Sequence, residues 1–247
     1  MRLQAEIPKL INLNQIGFIR GRSISHTFVY AMELVQVCNK KKKPAIVLKL
    51  DFAKAFDMVN WDGLFRVLRA RGFPEQWVSW MHYMLSSSKS AVLVNGCPGP
   101  WITCRQGLRQ GDPISPYLFL LVGESLQGLI RRRSDIRHPT EDGLPCAVLQ
   151  YADDILVVLR VDQRGTTALK LILDQFAAIT GLHINYAKST MVPIHMDETL
   201  ATKCVQAIGC KRDSFPQPYL GLPLSSHKLP VSAFIPYIQK ADRYLST

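Results

Sequence analysis

The sequence predicts a mixed α+β protein, because buried strands and amphipathic helices both stand out along the chain. The clearest strand signal is the apolar run 148–159, which is interrupted by Asp153 and Asp154 and predicts two short strands meeting at a tight turn over 152–154. A second apolar run, 45–50, predicts a strand that ends at Asp51. Helical patterns with start and stop signals occupy much of the remaining sequence.

Length and composition limit the classes of protein that the chain can belong to. Its 247 residues, of which 47% are hydrophobic, can bury one substantial core or two small ones. The net charge of +11 suits a polyanionic partner, either nucleic acid or an anionic membrane surface. No apolar run approaches the roughly 20 residues that span a bilayer, and residues 1–8 lack the hydrophobic core of a signal peptide, so we expect a soluble intracellular protein.

The cysteines indicate neither a zinc site nor a disulfide framework. They never form a pair with the short spacing of zinc ligands and do not lie near paired histidines. We therefore expect buried free thiols at Cys38, Cys97, Cys104, Cys146, Cys204 and Cys210.

The adjacent carboxylates of Asp153 and Asp154 are a candidate metal site. Two carboxylates side by side repel each other unless a proton or a metal neutralises them, and Mg²⁺ favours carboxylates together with phosphate oxygens. Taken alone, such a pair is more often a solvated turn. Asp51 allows the same two interpretations, since an acid after a buried strand can bind a ligand or simply cap the helix that follows.

Two glycine- and arginine-rich segments precede predicted helices. In 15–24, glycine allows close backbone approach and arginine offers a fork for phosphate oxygens, although an ordinary loop with a helix cap explains the segment equally well. In 105–116, glycine, glutamine and arginine offer donors to a nucleotide or a phosphate.

The remaining elements follow from apolar periodicity and turn residues. A strand from Ser90 to Val94 is followed by an Asn95-Gly96 hairpin turn that returns through 101–104, and 218–224 predicts a second tight hairpin. Helices are predicted over 26–39, 62–71, 74–85, 117–130, 165–180 and 197–208, and from Val231 onward.

Six stretches in order resemble the reverse transcriptases of non-LTR (LINE-type) retrotransposons, in the form common in plant genomes. The stretches are GFIRGRS, LDFAKAFD, GLRQGDPISPYLF, YADD, GLHINYAKS and YLGLPLS, covering about Gln15 to Ser225. Each stretch is weak alone, but six in the family's order argue against coincidence. They outweigh the interpretation of the Asp pair as a solvated turn.

The resemblance implies a fingers and palm fold with an antiparallel palm sheet backed by helices. The whole chain, 1–247, would be a single partial reverse transcriptase domain that is truncated at both ends and lacks most of the thumb. The fingers would cover about 1–45 and 72–105, the palm about 46–71 and 106–228, and the start of the thumb 229–247. Without a full thumb, grip on the duplex should be weak, so we expect little processive synthesis.

The resemblance also implies a two-metal site for nucleotidyl transfer. Two Mg²⁺ ions, for which Mn²⁺ could substitute, would be held by Asp51, Asp153 and the backbone carbonyl of Phe52, with Asp154 completing the acidic cluster. Lys188 would protonate the departing pyrophosphate.

Contacts to the nucleotide and the primer are implied in the same way. Phe56 would lie beneath the incoming sugar and leave no room for a 2′-hydroxyl. Arg22 would contact the triphosphate, and Gln110 with Gly111 would pack on the nucleotide and template. The Tyr219-Leu220-Gly221 stretch would form the primer grip, which steadies the 3′ end.

The function implied is that of an RNA-directed DNA polymerase core that uses an RNA template, a DNA primer and deoxynucleoside triphosphates. We expect no membrane attachment and no obligate protein partner, and we favour the nucleus over the mitochondrion as its location. The alternative is a nucleic-acid-binding remnant without catalysis, either inert or recruited for RNA binding as splicing maturases are.

Overall fold

The computed structural model describes residues 3–161 and 163–245. Eight α-helices lie in this part of the chain: α1 Leu3–Leu10, α2 Ile24–Lys40, α3 Trp61–Ala70, α4 Glu75–Ser86, α5 Ser115–Arg131, α6 Gln163–Thr180, α7 Glu198–Ile208 and α8 Ile235–Leu245. The strands are β1 Ala45–Leu50, β2 Lys89–Ser90, β3 Leu93–Val94, β4 Cys97–Pro98, β5 Ile102–Thr103, β6 Ala147–Tyr151, β7 Asp154–Arg160, β8 Thr190–Ile194, β9 Lys211–Arg212, β10 Gln217–Tyr219 and β11 Leu222–Leu224.

A five-stranded sheet with the order β6-β7-β1-β8-β9 forms the centre of the molecule. Strand β1 lies between β7 and β8 and is antiparallel to both, and β6 is antiparallel to β7. The predicted antiparallel sheet is therefore confirmed for these four strands. The short edge strand β9 departs from the prediction, because it runs parallel to β8.

Side chains of the sheet alternate between two cores. In β1, Ile46, Leu48 and Leu50 belong to the larger core, to which α1, α3, α5 and α6 contribute. Ala45 and Val47 belong to a smaller core on the opposite face, which α2 and the β10–β11 hairpin complete. Because both faces of β1 are covered, its sequence is almost continuously apolar, as is usual for a strand buried on both sides.

Most predicted elements are confirmed within two residues at each end, and β1 has the predicted bounds. Three elements were not predicted, namely α1, β8 and the two-residue strand β9, and the first two each contain a proline. Pro8 lies inside α1, where Ile7 is buried, and Pro193 lies inside β8. β9 pairs only with Thr190 and Met191, so Pro193 occupies the part of β8 beyond that pairing, where a missing N–H is tolerated.

Three smaller details differ from the predictions. The strand expected over 90–94 is split, since β2 pairs with β5 and β3 with β4 around the Asn95-Gly96 turn. Helix α3 begins at Trp61, one residue before its predicted start, and is capped by Asn60, whose side chain accepts a hydrogen bond from the Gly63 amide at 2.9 Å. The last helix begins as a 3₁₀ turn over Val231–Phe234.

All six cysteines are free, as predicted, and four of them are buried. Burial raises the pKa of Cys38 and of Cys210 to about 11, so these thiols behave as apolar core side chains. The burial prediction was wrong for Cys97, which is exposed, and for Cys104, which is half-buried. Within the described ranges, no helix has the length and apolarity needed to cross a membrane.

Close packing of α3 against the end of α6 fixes the segment that follows Asp51. The Asn60 amide donates to the Thr180 carbonyl at 2.7 Å. A Cβ on Gly63 would lie 2.0 Å from the carbonyl oxygen of Ile179, so only glycine fits there.

We predict that Gly63→Ala destabilises the protein by about 2 kcal/mol or more, because its methyl group meets rigid backbone. The matched control is Gly128→Ala in α5, where a Cβ meets nothing within 4 Å. Helix propensity should make that control more stable by about 0.5–1 kcal/mol. Urea unfolding measures both changes, and equal effects of the two substitutions would contradict the packing argument.

Candidate functional site

The register of the sheet brings the three predicted acids together. Leu50 pairs with Ile155 in the β1–β7 ladder, so continuing this register by one residue sets Asp51 opposite Asp154. Tyr151 pairs with Asp154 across the β6–β7 hairpin, which leaves Ala152 and Asp153 as its two-residue turn. The predicted hairpin is confirmed, with Asp154 as the first residue of β7 and not part of the turn.

The acids influence one another electrostatically. Burial is the main cause of a raised pKa at Asp154, and the negative charges of Asp153 and Asp51 raise it further, while Lys49 opposes them. Asp153 is exposed and Asp51 half-buried, so the group opens to solvent. Among the described residues, no three His, Cys, Asp or Glu side chains form a ready-made metal-binding group. The carboxylates therefore converge without closing into a preformed cage.

The backbone at Asp51 is held by the segment that contains Lys188. The Asp51 amide donates to the hydroxyl of Ser189 at 3.1 Å, and the Asn185 amide donates to the Asp51 carbonyl at 2.7 Å. The buried Ser189 hydroxyl in turn donates to the Asn185 carbonyl at 2.9 Å. Lys188 itself is exposed, next to this anchor.

Phe52 joins the same anchored segment to the core. It pairs with Ile184 in an isolated antiparallel bridge. Its buried ring packs against Phe119 and Phe176, with centroid distances of 6.5 and 6.0 Å. These contacts fix the main chain immediately after Asp51, where the carbonyl of Phe52 was predicted to be a metal ligand.

The turn that carries Asp153 is held by a residue that the sequence analysis did not single out. The side-chain oxygen of Gln15 accepts hydrogen bonds from the amides of Ala152 at 3.1 Å and Gly17 at 3.0 Å. Gln15 is fully buried. The available signal was its position at the start of a stretch with a glycine two residues later, a spacing that permits close backbone approach.

Phe56 lies half-buried and stacks on Phe119, with 4.8 Å between the ring centroids and 10° between the ring planes. The predicted glycine-rich loop packs on the same segment. The Leu108 amide donates to the Phe56 carbonyl at 2.7 Å, and the Gly107 amide donates to the Val59 carbonyl at 2.8 Å. Gly107 has a φ of 86° and no room for a Cβ against Asp57, so this loop position requires glycine.

Gln110 and Gly111, the loop residues that were predicted to contact the nucleotide, are both exposed. They follow the part of the loop that bonds to the Phe56 segment. The structure leaves them accessible, and their predicted contact stays a prediction.

Arg22, which was predicted to contact the triphosphate, bonds to the protein backbone in the structure. Its guanidinium donates to the carbonyls of Asn12 and Gln15, to that of Ile11 at 2.9 Å and to that of Pro8 at 3.3 Å. These contacts fasten the N-terminal segment, and partial burial lowers the pKa of Arg22. Binding a triphosphate through the terminal nitrogens would require these hydrogen bonds to break, and the predicted contact stays a prediction.

The predicted primer grip forms a tight hairpin beside the acids. Leu220 and Gly221, with φ of 48° and 81°, form its two-residue turn. Tyr219 is 1% exposed, and its hydroxyl finds no hydrogen-bond partner among the described residues. Burial, and to a lesser extent the charge of Asp154, raise its pKa well above the usual range. Within the predicted stretch 219–221, the turn residue Gly221 is exposed, whereas the Tyr219 side chain is not accessible to a primer.

Comparison with solved structures shows the fold. The chain aligns with apo telomerase from Candida tropicalis with a TM-score of 0.61, covering 94% of this chain and 40% of that chain at 12% identity. It aligns equally well, with a TM-score of 0.61, with telomerase from Candida albicans in complex with a fragment of telomeric RNA, covering 90% of this chain and 36% of that chain at 11% identity.

Comparison with known sequences finds relatives among retrotransposon proteins. A Pol polyprotein from the retrotransposable element R2 of Popillia japonica is 31% identical over 78% of this chain and 27% of the relative. An uncharacterized 149 kDa protein of transposon TX1 from Xenopus laevis is 26% identical over 94% of this chain and 18% of the relative. An uncharacterized mitochondrial protein of Arabidopsis thaliana is 54% identical over 17% of this chain and 35% of the relative.

The chain spans about a quarter or less of the length of the two retrotransposon relatives, so the comparison concerns one region of those proteins. The family model described as reverse transcriptase (RNA-dependent DNA polymerase) matches residues 1–224. That range contains the sheet, the acidic turn and the hairpin beside it. The chain therefore belongs to the reverse transcriptase family and resembles the non-LTR retrotransposon members.

Proposed function

We propose that this chain carries the catalytic core of an RNA-directed DNA polymerase, which adds deoxynucleotides to a primer on an RNA template. The observation that carries the proposal is the convergence of Asp51, Asp153 and Asp154 in a chain of this family. The negative charges of Asp51 and Asp153 both raise the pKa of Asp154, although Asp51 is distant from the other two in sequence. Such mutual repulsion is what a bound cation relieves.

The donor set fits Mg²⁺, a hard cation that prefers carboxylate and phosphate oxygens. Asp51, Asp153 and Asp154 would hold two ions, with the backbone carbonyl of Phe52 as a further ligand and Mn²⁺ as a substitute. When bound, such ions neutralise charge on the transferred phosphoryl group and favour the nucleophilic form of the 3′-hydroxyl.

The chain's own groups supply orientation and proton transfer. Lys188 is exposed beside the anchored backbone of Asp51 and would give a proton to the departing pyrophosphate. The Lys49 ammonium donates to the Pro218 carbonyl at 2.8 Å and also lowers the pKa of Asp154. Lys49 belongs to β1, so its bond to Pro218 ties the β10–β11 hairpin to the strand that leads into Asp51.

The partners proposed are an RNA template, a DNA primer and deoxynucleoside triphosphates. The net charge of +11 supports binding of nucleic acid, because lysine and arginine neutralise phosphates and release counterions. Gln110 and Gly111 remain our candidates for contact with the nucleotide and template. Arg22 is a weaker candidate, since its terminal nitrogens bond to main-chain carbonyls.

The division into fingers over 1–45 and 72–105, palm over 46–71 and 106–228 and the start of a thumb over 229–247 belongs to the same proposal. The central sheet supports it, because β6, β7, β8 and β9 and nearly all of β1 lie within the ranges given to the palm.

The cellular compartment is also part of the proposal. The proposed reaction needs a DNA primer, and most cellular DNA lies in the nucleus, so we place the chain there. The mitochondrion is the alternative, which the name of the short Arabidopsis relative supports.

We predict that Asp153→Asn lowers primer extension on an RNA template by about a thousandfold, equivalent to about 4 kcal/mol of transition-state stabilisation. The matched control is Asp62→Asn, which changes an exposed aspartate on α3 and should retain full activity. RNA binding without extension in the unmodified chain would instead support the nucleic-acid-binding alternative. Extension unaffected by Asp153→Asn would contradict the catalytic role of Asp153.

We predict that Phe56→Val reduces discrimination against ribonucleotides by about 10- to 200-fold, because the smaller side chain opens space beneath the sugar. Competition between deoxy- and ribonucleoside triphosphates in single-nucleotide extension measures the change. Phe73→Val is the control, since Phe73 is also half-buried and packs against Trp77 outside the site, with 4.7 Å between the ring centroids. Unchanged discrimination in Phe56→Val would argue that Phe56 serves only the core.

We predict that Asp154→Asn is more stable than the unmodified chain at pH 7 without divalent ions. The pKa of Asp154 is raised in the folded state, so its ionisation destabilises the fold. This cost is absent below the ordinary aspartate pKa of about 3.9 and grows as pH rises toward the folded pKa.

Thermal unfolding as a function of pH, with and without Mn²⁺, measures this effect. Mn²⁺ should raise the melting temperature of the unmodified chain more than that of Asp154→Asn. An Asp154→Asn protein that is less stable at neutral pH, or that gains as much from Mn²⁺, would contradict the prediction.

A further inference from the structure

We propose that Gln15 is a positioning residue that holds the Ala152–Asp153 turn in the orientation in which Asp153 binds the divalent ion. The proposal rests on the proposed function, because it concerns the support of that metal site. Gln15 is far from the acids in sequence, and its role is inferred from its contacts in the structure.

The Gln15 amide joins two pieces of backbone that would otherwise be independent. One side-chain oxygen accepts both the Ala152 amide at 3.1 Å and the Gly17 amide at 3.0 Å, and the side-chain nitrogen lies 3.5 Å from the Ala152 carbonyl. Gln15 has no exposed surface, so these contacts are shielded from water. A backbone amide without a hydrogen-bond partner is costly at this depth. The side chain at position 15 therefore needs an oxygen that can accept from both amides.

The turn needs such support. Ala152 has a φ of 53°, a left-handed conformation that strains a residue with a Cβ. Strained turns persist only where the surroundings impose them. Asp153 is the next residue, so the direction of its carboxylate depends on the conformation that Gln15 maintains at Ala152.

Gly17 allows the segment that contains Gln15 to approach the Ala152–Asp153 turn closely. A Cβ there would lie 2.5 Å from the Ala152 nitrogen and 3.2 Å from its Cα and Cβ. All three atoms belong to the packed turn and cannot move aside as a flexible side chain would. Any larger residue at position 17 would therefore push the turn away from Gln15.

Main-chain bonds extend this contact along the edge of the sheet. The Ile16 amide donates to the Gln150 carbonyl at 3.0 Å, and the Gln150 amide donates to the Asn14 carbonyl at 2.9 Å. The segment 14–17 thus lies along the outer edge of β6. Its order and the metal affinity of Asp153 are reciprocally linked, because each favours the same arrangement of the turn.

The first experiment measures Mn²⁺ binding by isothermal titration calorimetry in the full chain. We expect Gln15→Met and Gly17→Ala to weaken binding by about 10- to 100-fold, the range found when groups that orient metal ligands are removed. Asp153→Asn identifies the site, because binding that depends on this carboxylate should be lost.

Two matched controls separate positioning from general loss of stability. Gln127→Met also replaces a buried glutamine, one that donates to the side chain of Gln150 at 2.7 Å, and it lowers stability without touching the turn. Gly128→Ala adds a methyl group where a Cβ meets nothing within 4 Å. Both controls should bind Mn²⁺ with unchanged affinity.

The second experiment needs no variant and remains informative if Gln15→Met fails to fold. Hydrogen exchange of the unmodified chain is compared with and without Mn²⁺ at the amides of Gly17 and Ala152. We expect both amides to exchange more slowly when the site is filled. Unchanged exchange at both, with Mn²⁺ bound, would overturn the proposal.

The outcomes distinguish this inference from the proposed function. If the unmodified chain does not bind Mn²⁺, or binds it as tightly as Asp153→Asn does, the metal site itself is overturned, and the role of Gln15 with it. Normal Mn²⁺ affinity in a folded Gln15→Met protein, or equal weakening in Gln127→Met, would overturn the role of Gln15 and leave the polymerase assignment intact.

Discussion

The structure depends on the antiparallel register between β1 and β7, which sets like charges side by side at one end of the sheet. Leu50 pairs with Ile155, and the next positions along the ladder are Asp51 and Asp154. This arrangement costs free energy in the metal-free protein, since burial and neighbouring carboxylates both raise the pKa of Asp154. The apolar side chains of both cores stabilise the register against that repulsion, because a slip of one residue would turn every core side chain to the wrong face.

Each acid is held by backbone contacts from a different part of the chain. Ser189 and Asn185 bond to the amide and carbonyl of Asp51, while Gln15 bonds to the turn before Asp154. Lys49 connects the acids to the hairpin at Pro218. The groups that would touch metal or nucleotide are thus few, and most of the site consists of polar side chains that fix main-chain direction. Preorganisation of this kind is what charge stabilisation in a polymerase needs, because fixed groups need not reorganise during the reaction.

Local signals were sufficient to predict much of the fold. The run 45–50 is apolar on both faces and ends at an acid, so β1 was predicted with its observed bounds. The hairpin over 147–160 followed from two apolar runs around a short polar turn. Helix α1 and strand β8 were missed because Pro8 and Pro193 argue locally against them, and only packing against the rest of the molecule makes them stable.

Arg22 shows the corresponding limit for the site, since its residue type suggests phosphate while its partners are carbonyls brought near it by folding. The glycine two residues after Gln15 was too general a signal to select it, because its contact with Ala152 arises only in the tertiary structure.

The segment 14–17 along β6 has a consequence for behaviour in solution as well as for the site. An uncovered outer strand offers free amides and carbonyls to any other extended chain, and this is a common route to aggregation. Here the main-chain groups of Gln150 are already bonded to Asn14 and Ile16, and the opposite margin ends in the two-residue strand β9. A chain that lacks residues 1–16 would therefore leave the outer edge of β6 unpaired. It should self-associate and precipitate during expression, even though every acid remained in place.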